Sequence, residues 1–375
     1  MPESKLLDLI DLAREPSSDR RRELLREVTD LFMAQPSARL DPSQLGLFDD
    51  VMSQLAGEME EVVRAELSHR LAAAPSAPPR LLGSLARDSM AVAEPLLRTS
   101  RALSEADLVQ LARTQGQNHL RAISQRPVVP TAVSDVIVER ADDATLDVLL
   151  RNQGAELSRE ASETAVDRAQ NNPALHAAVV ERASLPPDLL SEMYFVVEAR
   201  LRETIMARNA TLDPAELQAA LEAGRKRIAA RDGALPADYE TAEAEVRALA
   251  LRGELKPAML TGYLRLQSKT KLAVALAELA EIDFSTARRV LEGGVIDALA
   301  ILCKAAGFDR ALFLTLTIVM LNGEASVMAK AQEYGSLYEQ LTRDAAQRAV
   351  RFWRLRRQAE GAANAGRVSE RTWAA

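Results

Sequence analysis

One phrase recurs along this chain, and it restricts the fold more than any other feature. PLLRTSRALSEADL (Pro95 to Leu108), AISQRPVVPTAV (Ala122 to Val133), LLRNQGAELSREA (Leu149 to Ala161), VVERASLPPDLL (Val179 to Leu190) and IMARNATLDPAEL (Ile205 to Leu217) share one layout. Apolar residues lead to an arginine and a few small or polar residues. An apolar residue follows, then Ser, Pro or Asp, then a new helical pattern. The apolar residue before each break falls at Ala77, Leu103, Val129, Leu157, Leu185 and Leu212, in steps of 26, 26, 28, 28 and 27 residues. A fixed period of this size is the mark of a solenoid, in which helix pairs that cannot bury their stripes alone stack on their neighbours.

The residues after each break explain why it recurs. Ser104, Ser158 and Asp213 are good N-caps, and Asp213-Pro214-Ala215-Glu216 adds Pro at the first helical position and an acid at the third, as in a capping box. Pro130, Pro186 and Pro187 stop one helix and start the next. In the third period Val133, Val136 and Ile137 line the first helix, and Leu146, Leu149 and Leu150 the second. A strand over VVPTAVSDVIV, suggested by its β-branched residues, conflicts with the Ala- and Leu-rich equivalents in other periods.

The spacing therefore predicts an all-α chain. Residues 1–74 form an N-terminal helical module, 77–233 the repeats, 236–358 a C-terminal helical domain and 359–375 a flexible tail. In the module, Leu24, Leu25, Val28, Leu31 and Phe32 follow a cap at Ser17 or Ser18. A long helix opened by Asp41 and Pro42 carries Leu45, Phe48, Val51, Met52, Leu55, Met59, Val62 and Val63. Such a stripe needs a cover, either the repeats or a second copy of the chain, so homodimerisation through residues 17–70 is expected. Ten of the 14 aromatic residues lie from Tyr239 onward, where the echo stops. Glycines at 253, 262, 293, 294, 307, 323 and 335 mark helix ends there.

Three stretches together suggest a family: FDDVMSQLAGEMEEVVRAELSHRLA, LARDSMAVAEPLLRTSRALSEADLVQLARTQGQNHLRAIS and ARRVLEGGVIDALAILCKAAGFDRALF. They resemble a family catalogued as a domain of unknown function, largely alphaproteobacterial and associated with HEAT-like repeats. The resemblance covers most of the chain. It implies a HEAT-like α-solenoid and a bacterial source, and it carries no catalytic motif.

Chemistry is sparse in the sequence. His69, His119 and His176 have no metal-ligand spacing, and the single Cys303, in ALAILCKAAGF, cannot complete a zinc site and reads as a buried small hydrophobe. No phosphate-binding loop and no nucleophile elbow occurs, so no catalytic residue, metal or cofactor is expected. One cysteine suits a reducing compartment, the start has acids where a signal peptide would be apolar, and ALFLTLTIVML is too short to cross a bilayer. A cytoplasmic protein is expected. A net charge of −7 argues against bulk nucleic-acid binding.

Two constellations remain. Arg98, Arg126, Arg151, Arg182 and Arg208 each stand near the end of a second helix. There a cation complements its own helix dipole, or the five form a basic ladder suited to an acidic or phosphorylated protein partner. In the basic aromatic stretch AVRFWRLRRQ, Arg351, Phe352, Trp353 and Arg354 either touch a partner or dock on their own domain. The leading expectation is a non-enzymatic interaction scaffold or regulatory adaptor. The alternatives are a nucleic-acid-binding HEAT-like protein and a small-ligand enzyme with a pocket near Arg225 to Tyr239.

Overall fold

The computed structural model describes residues 18–34, 42–321 and 327–358. The expected caps at Ser17 and Asp41, the end at Gly323 and the tail from 359 lie outside the described residues. Every regular element among the described residues is helical, apart from a single parallel bridge between Val129 and Ala155. The chain divides into two compact units, Met1–Ser184 and Leu185–Ala375.

The first unit opens with α1 (Ser18–Met33), α2 (Pro42–Gly57) and α3 (Glu61–Ala72), followed by α4 (Pro79–Leu85) and α5 (Met90–Thr99). Then come α6 (Glu105–Thr114), α7 (Gln117–Ser124), α8 (Thr131–Arg140), α9 (Asp143–Arg151), α10 (Arg159–Asn171) and α11 (His176–Glu181). Helices pack on their second neighbours. One layer runs α3, α5, α7, α9, α11, and another runs α6, α8, α10. This is the helix-pair stacking that the period predicts, and the stretch 128–138, read as helical rather than as a strand, enters α8 at Thr131. Leu146, Leu149, Val133 and Ile137 are fully enclosed between the layers.

Five breaks coincide with helix starts. Pro78, Ser104, Pro130, Ser158 and Pro186 are the N-caps of successive first helices. Ser104 and Asp107 form a reciprocal capping box, with the Asp107 amide donating to Ser104 Oγ at 3.2 Å and the Ser104 amide to Asp107 Oδ2 at 3.0 Å. At Asp213 the side chain accepts from the Ala215 amide instead, without Glu216 closing a box. Pro95 sits inside α5, and the helix continues through it; Ala91, whose carbonyl would have received the missing N–H, lies on the exposed side.

One feature of the N-terminal module differs from expectation. The single long helix is broken after Gly57 into α2 and α3. The break turns the phase of the stripe, so Val62 is 71% exposed while Val63 is buried. The stripe also finds its cover within the chain: α1 packs on α2, α2 on α4, and α3 on α5. Phe32 and Phe48 meet edge to face at 5.4 Å.

Asp49 ties that module to the repeats. It is buried in α2, and its carboxylate accepts the amides of Arg80 at 2.9 Å and Leu81 at 2.8 Å, in the first turn of α4. The preceding Pro78 has no side chain that could do this. Asp49→Ala is expected to destabilise the first unit by about 1–2 kcal/mol, as for loss of an N-cap, and Asp49→Asn by less. Urea denaturation of both variants measures the difference, and equal midpoints for wild type and alanine would refute the cap.

In the second unit α12 (Pro187–Met193), α13 (Ala199–Thr211), α14 (Pro214–Ala223) and α15 (Arg225–Asp232) precede α16 (Tyr239–Leu251), α17 (Met259–Arg265) and α18 (Lys269–Ala280). There follow α19 (Phe284–Glu292), α20 (Ile296–Ala305), α21 (Arg310–Met320), α22 (Val327–Gln340), α23 (Arg343–Ala349) and helical residues 351–358. The core of this unit is α18, apolar nearly all round, together with Phe284, Leu299, Leu302 and Phe313. Phe313 stacks on Tyr338 at 4.4 Å, and Tyr338 Oη donates to the Phe308 carbonyl at 2.6 Å. The apolar run in α21 buries only one face, Phe313, Leu316 and Thr317, and leaves Val319 exposed. Gly262 and Gly335 lie inside helices rather than at ends, whereas Gly253, Gly294 and Gly307 take the positive φ of helix ends. No helix among the described residues is long and apolar enough to cross a membrane.

Candidate functional site

A helix leaves its last carbonyls without partners inside the helix. In the first unit the following repeat supplies them. Arg126, just past α7, is buried, and its guanidinium donates to the carbonyls of Ser100 at 2.6 Å, Leu97 at 2.7 Å and Leu96 at 3.4 Å, at the end of α5. One repeat on, Asn152 Nδ2 donates to the carbonyls of Arg126 at 2.7 Å and Ser124 at 2.8 Å, at the end of α7. Arg182, only 1% exposed, then reaches the carbonyls of Leu150 at 3.0 Å, Asn152 at 3.1 Å and Ala155, at the end of α9.

The other layer repeats the device. Arg140 donates to the carbonyls of Ala112 and, at 3.2 Å, Gln115, past α6. Arg168 donates to Ala141 at 2.8 Å and Val138 at 3.4 Å, past α8, and pairs with Asp143. Burial lowers the proton affinity of Arg126 and Arg182, yet a guanidinium keeps its charge at any ordinary pH. These arginines thus serve the preceding repeat's helix dipole, not their own. Arg140, Arg168 and Asn152 escaped the sequence reading, although Arg140 and Arg168 stand one period apart and Val138-Glu139-Arg140-Ala141 echoes Val180-Glu181-Arg182-Ala183.

Of the five arginines singled out from sequence, Arg126 and Arg182 are the two enclosed at helix ends of the preceding repeat. Arg98 and Arg151 lie half-exposed on their helices, paired with Glu94 at 3.0 Å and Asp147 at 2.8 Å, each four residues back. Arg208 belongs to the second unit, in the last turn of α13, where partial burial lowers its proton affinity. His119 and His176 hold structural places: the Nε2 atoms donate to the carbonyls of Asp88 at 3.1 Å and Ala169 at 3.0 Å. Cys303 is enclosed in α20, and burial pushes its thiol far above the usual range.

What Arg98 does line is an open groove of about 790 Å³ between α3 and α5. Its walls include His69, Ala72, Pro95, Arg98 and Arg101, with Glu94 as its acid. Arg98 in this groove is paired with Glu94, and Arg101 has no carboxylate partner among the described residues, so the arginines outnumber the acids in its lining.

A family model described as an uncharacterised protein conserved in bacteria, DUF2336, matches residues 92–351. The chain belongs to this family. No curated protein and no solved structure matches it. The DUF2336 match starts inside α5 and spans both the buried arginine caps and most of the second unit, so one wall of the groove lies within it and α3 lies before it.

Just past the end of the DUF2336 match, Phe352 and Trp353 are buried. Trp353 meets Tyr194 edge to face at 5.5 Å and stacks on Phe195 at 6.2 Å. Arg354 Nε donates to the Ala280 carbonyl at 3.3 Å and lies 3.5 Å from Glu281, while Arg351 is half-exposed. The aromatic pair is docked on its own unit.

Proposed function

We propose that this DUF2336 protein is a non-enzymatic interaction module that takes an extended acidic segment of a partner protein in the groove between α3 and α5. The observation that carries this reading is the charge of that groove: Arg98 and Arg101 line it with one carboxylate, Glu94, beside the apolar Ala72 and Pro95. Helical repeats bind extended chains by shape and distributed contacts, and guanidiniums recognise carboxylate or phosphate groups in a forked geometry. The single, buried Cys303 supports a reducing compartment, and we take the cytoplasm as the place of work.

Fluorescence anisotropy with a labelled twelve-residue Glu/Ala peptide, its Gln/Ala counterpart and a phosphoserine version tests the reading. Saturable binding of the acidic peptides is expected, at least tenfold weaker for the Gln/Ala peptide and for the Arg98→Ala, Arg101→Ala double variant. Binding indifferent to the double variant, or equal affinity for the neutral peptide, would overturn it. So would displacement of the peptide by duplex DNA at lower concentration, which would favour nucleic-acid recognition.

A further inference from the structure

The second unit holds a different kind of site. Two hollows adjoin on α19, where both are lined by Arg288 and Glu292. The larger, about 490 Å³, is lined from α17, α18, α19 and α21 by an apolar side of Leu264, Leu272, Leu291 and Leu316 and by the polar Gln267, Lys269, Arg288 and Glu292. The smaller, about 290 Å³, is edged by Arg231, Arg288, Arg289 and Ser285. A hollow of several hundred cubic ångströms that combines an apolar side with convergent polar groups has the size of small-molecule sites.

The charges around the smaller hollow are unevenly matched. Arg227 and Arg231 share Glu192, at 3.1 and 3.0 Å. Arg289 and Arg356 share Asp232, with Arg356 also 3.5 Å from Asp283. Arg288, which stands where the hollows meet, has no carboxylate partner among the described residues. It donates to the main-chain carbonyls of Asp232 and, at 3.3 Å, Ala234, and lies over the Phe284 ring at 5.5 Å. Burial, and next the repulsion of Arg356, hold Arg289 below the ordinary guanidinium value, against the pull of Asp232 and Asp283. Three guanidiniums, those of Arg231, Arg288 and Arg289, thus line the smaller hollow beside one carboxylate, Glu292, and Arg288 carries its charge to the edge of the larger one.

We propose that these hollows are one binding site for a phosphate monoester with an apolar body, its phosphate held among Arg231, Arg288 and Arg289 and its body lying along Leu264, Leu272 and Leu316. A phosphate brings nearly two negative charges and acceptor oxygens that match the guanidinium fork, and the apolar body displaces water from the larger hollow. The small-ligand alternative drawn from the sequence places a pocket near Arg225 to Tyr239. Arg231 does line this site, but the rest comes from α17, α18, α19 and α21.

Calorimetric titration of the full chain with octyl phosphate, and separately with octanol and inorganic phosphate, tests the assignment. Saturable one-to-one binding of octyl phosphate is expected, with each half-molecule at least tenfold weaker. Arg288→Gln removes the unpaired charge, and Val319→Asp spoils the apolar wall at a half-exposed position that tolerates it. Each is expected to weaken octyl phosphate at least tenfold while circular dichroism shows a folded protein with a cooperative melting transition. No saturable heat with octyl phosphate, or wild-type affinity in both variants, would overturn the site. Sedimentation with phosphatidylcholine–phosphatidylglycerol vesicles that depends on Arg288, in a protein that ignores octyl phosphate, would overturn it in favour of a bilayer surface.

Discussion

Arg182→Ala is expected to lower the stability of the first unit by roughly 3–5 kcal/mol. The substitution strips three main-chain carbonyls of their donor inside the repeat stack and leaves a cavity the size of a guanidinium and its stem. Each buried acceptor left unsatisfied costs about 1–3 kcal/mol, before the cavity is counted. Arg182→Lys restores one charge without the fork and should recover part of the loss. Arg151→Ala is the internal control: its side chain is half-exposed and paired only with Asp147, so a change within about 0.5 kcal/mol is expected. Urea denaturation gives the magnitudes, and amide hydrogen exchange gives the location. The carbonyls lie at the end of α9, so protection should fall first in α9 and α11. A loss below 1 kcal/mol for Arg182→Ala would show that water or a shifted side chain replaces the cap.

Trp353→Ala is expected to cost the second unit a comparable amount, about 3–5 kcal/mol for emptying a buried aromatic site. Trp353 touches both rings of Tyr194 and Phe195, and Arg289 lies over Phe195 at 5.1 Å, so the cluster joins residues far apart in the chain. Trp353→Phe keeps most of the apolar volume and should lose about a third as much or less. Thermal unfolding followed by near-ultraviolet circular dichroism checks both variants. An alanine variant that melts with wild type would show that residues 351–358 lie on the surface without contributing to the fold, and would return the basic aromatic stretch to the role of a partner-binding helix.

The repeat array was legible because its signals are local. A Ser, Pro or Asp after an apolar residue sets a helix start whatever lies across from it, and every such break in the period from 78 to 186 is a cap. The two-helix module at 42–72 was misread as one helix because Gly57 is a weak stop by propensity, and only the packing of α2 and α3 on different partners separates them. The arginines show the limit most clearly. Arg151 and Arg182 are both followed closely by small or polar residues and a new helix, yet one lies on the surface and the other is enclosed. That choice depends on which way the side chain leaves its helix relative to the previous repeat, and spacing in one dimension does not encode it. The arginine hollow of the second unit was less legible still, since Arg231 and Arg288 are separated by three helices.

The arginine and asparagine caps all run in one sense. Arg126, Arg140, Asn152, Arg168 and Arg182 each complete a helix that precedes them in the chain. The two ends of the array are therefore unlike. A cut made after a repeat takes these donors from the carbonyls at the new terminus, whereas a cut made before one leaves the guanidinium itself to water. During synthesis, when the N-terminal repeats leave the ribosome first, each stays unfinished until its successor emerges. The first unit is then expected to gain order in step with translation, one period behind the growing end.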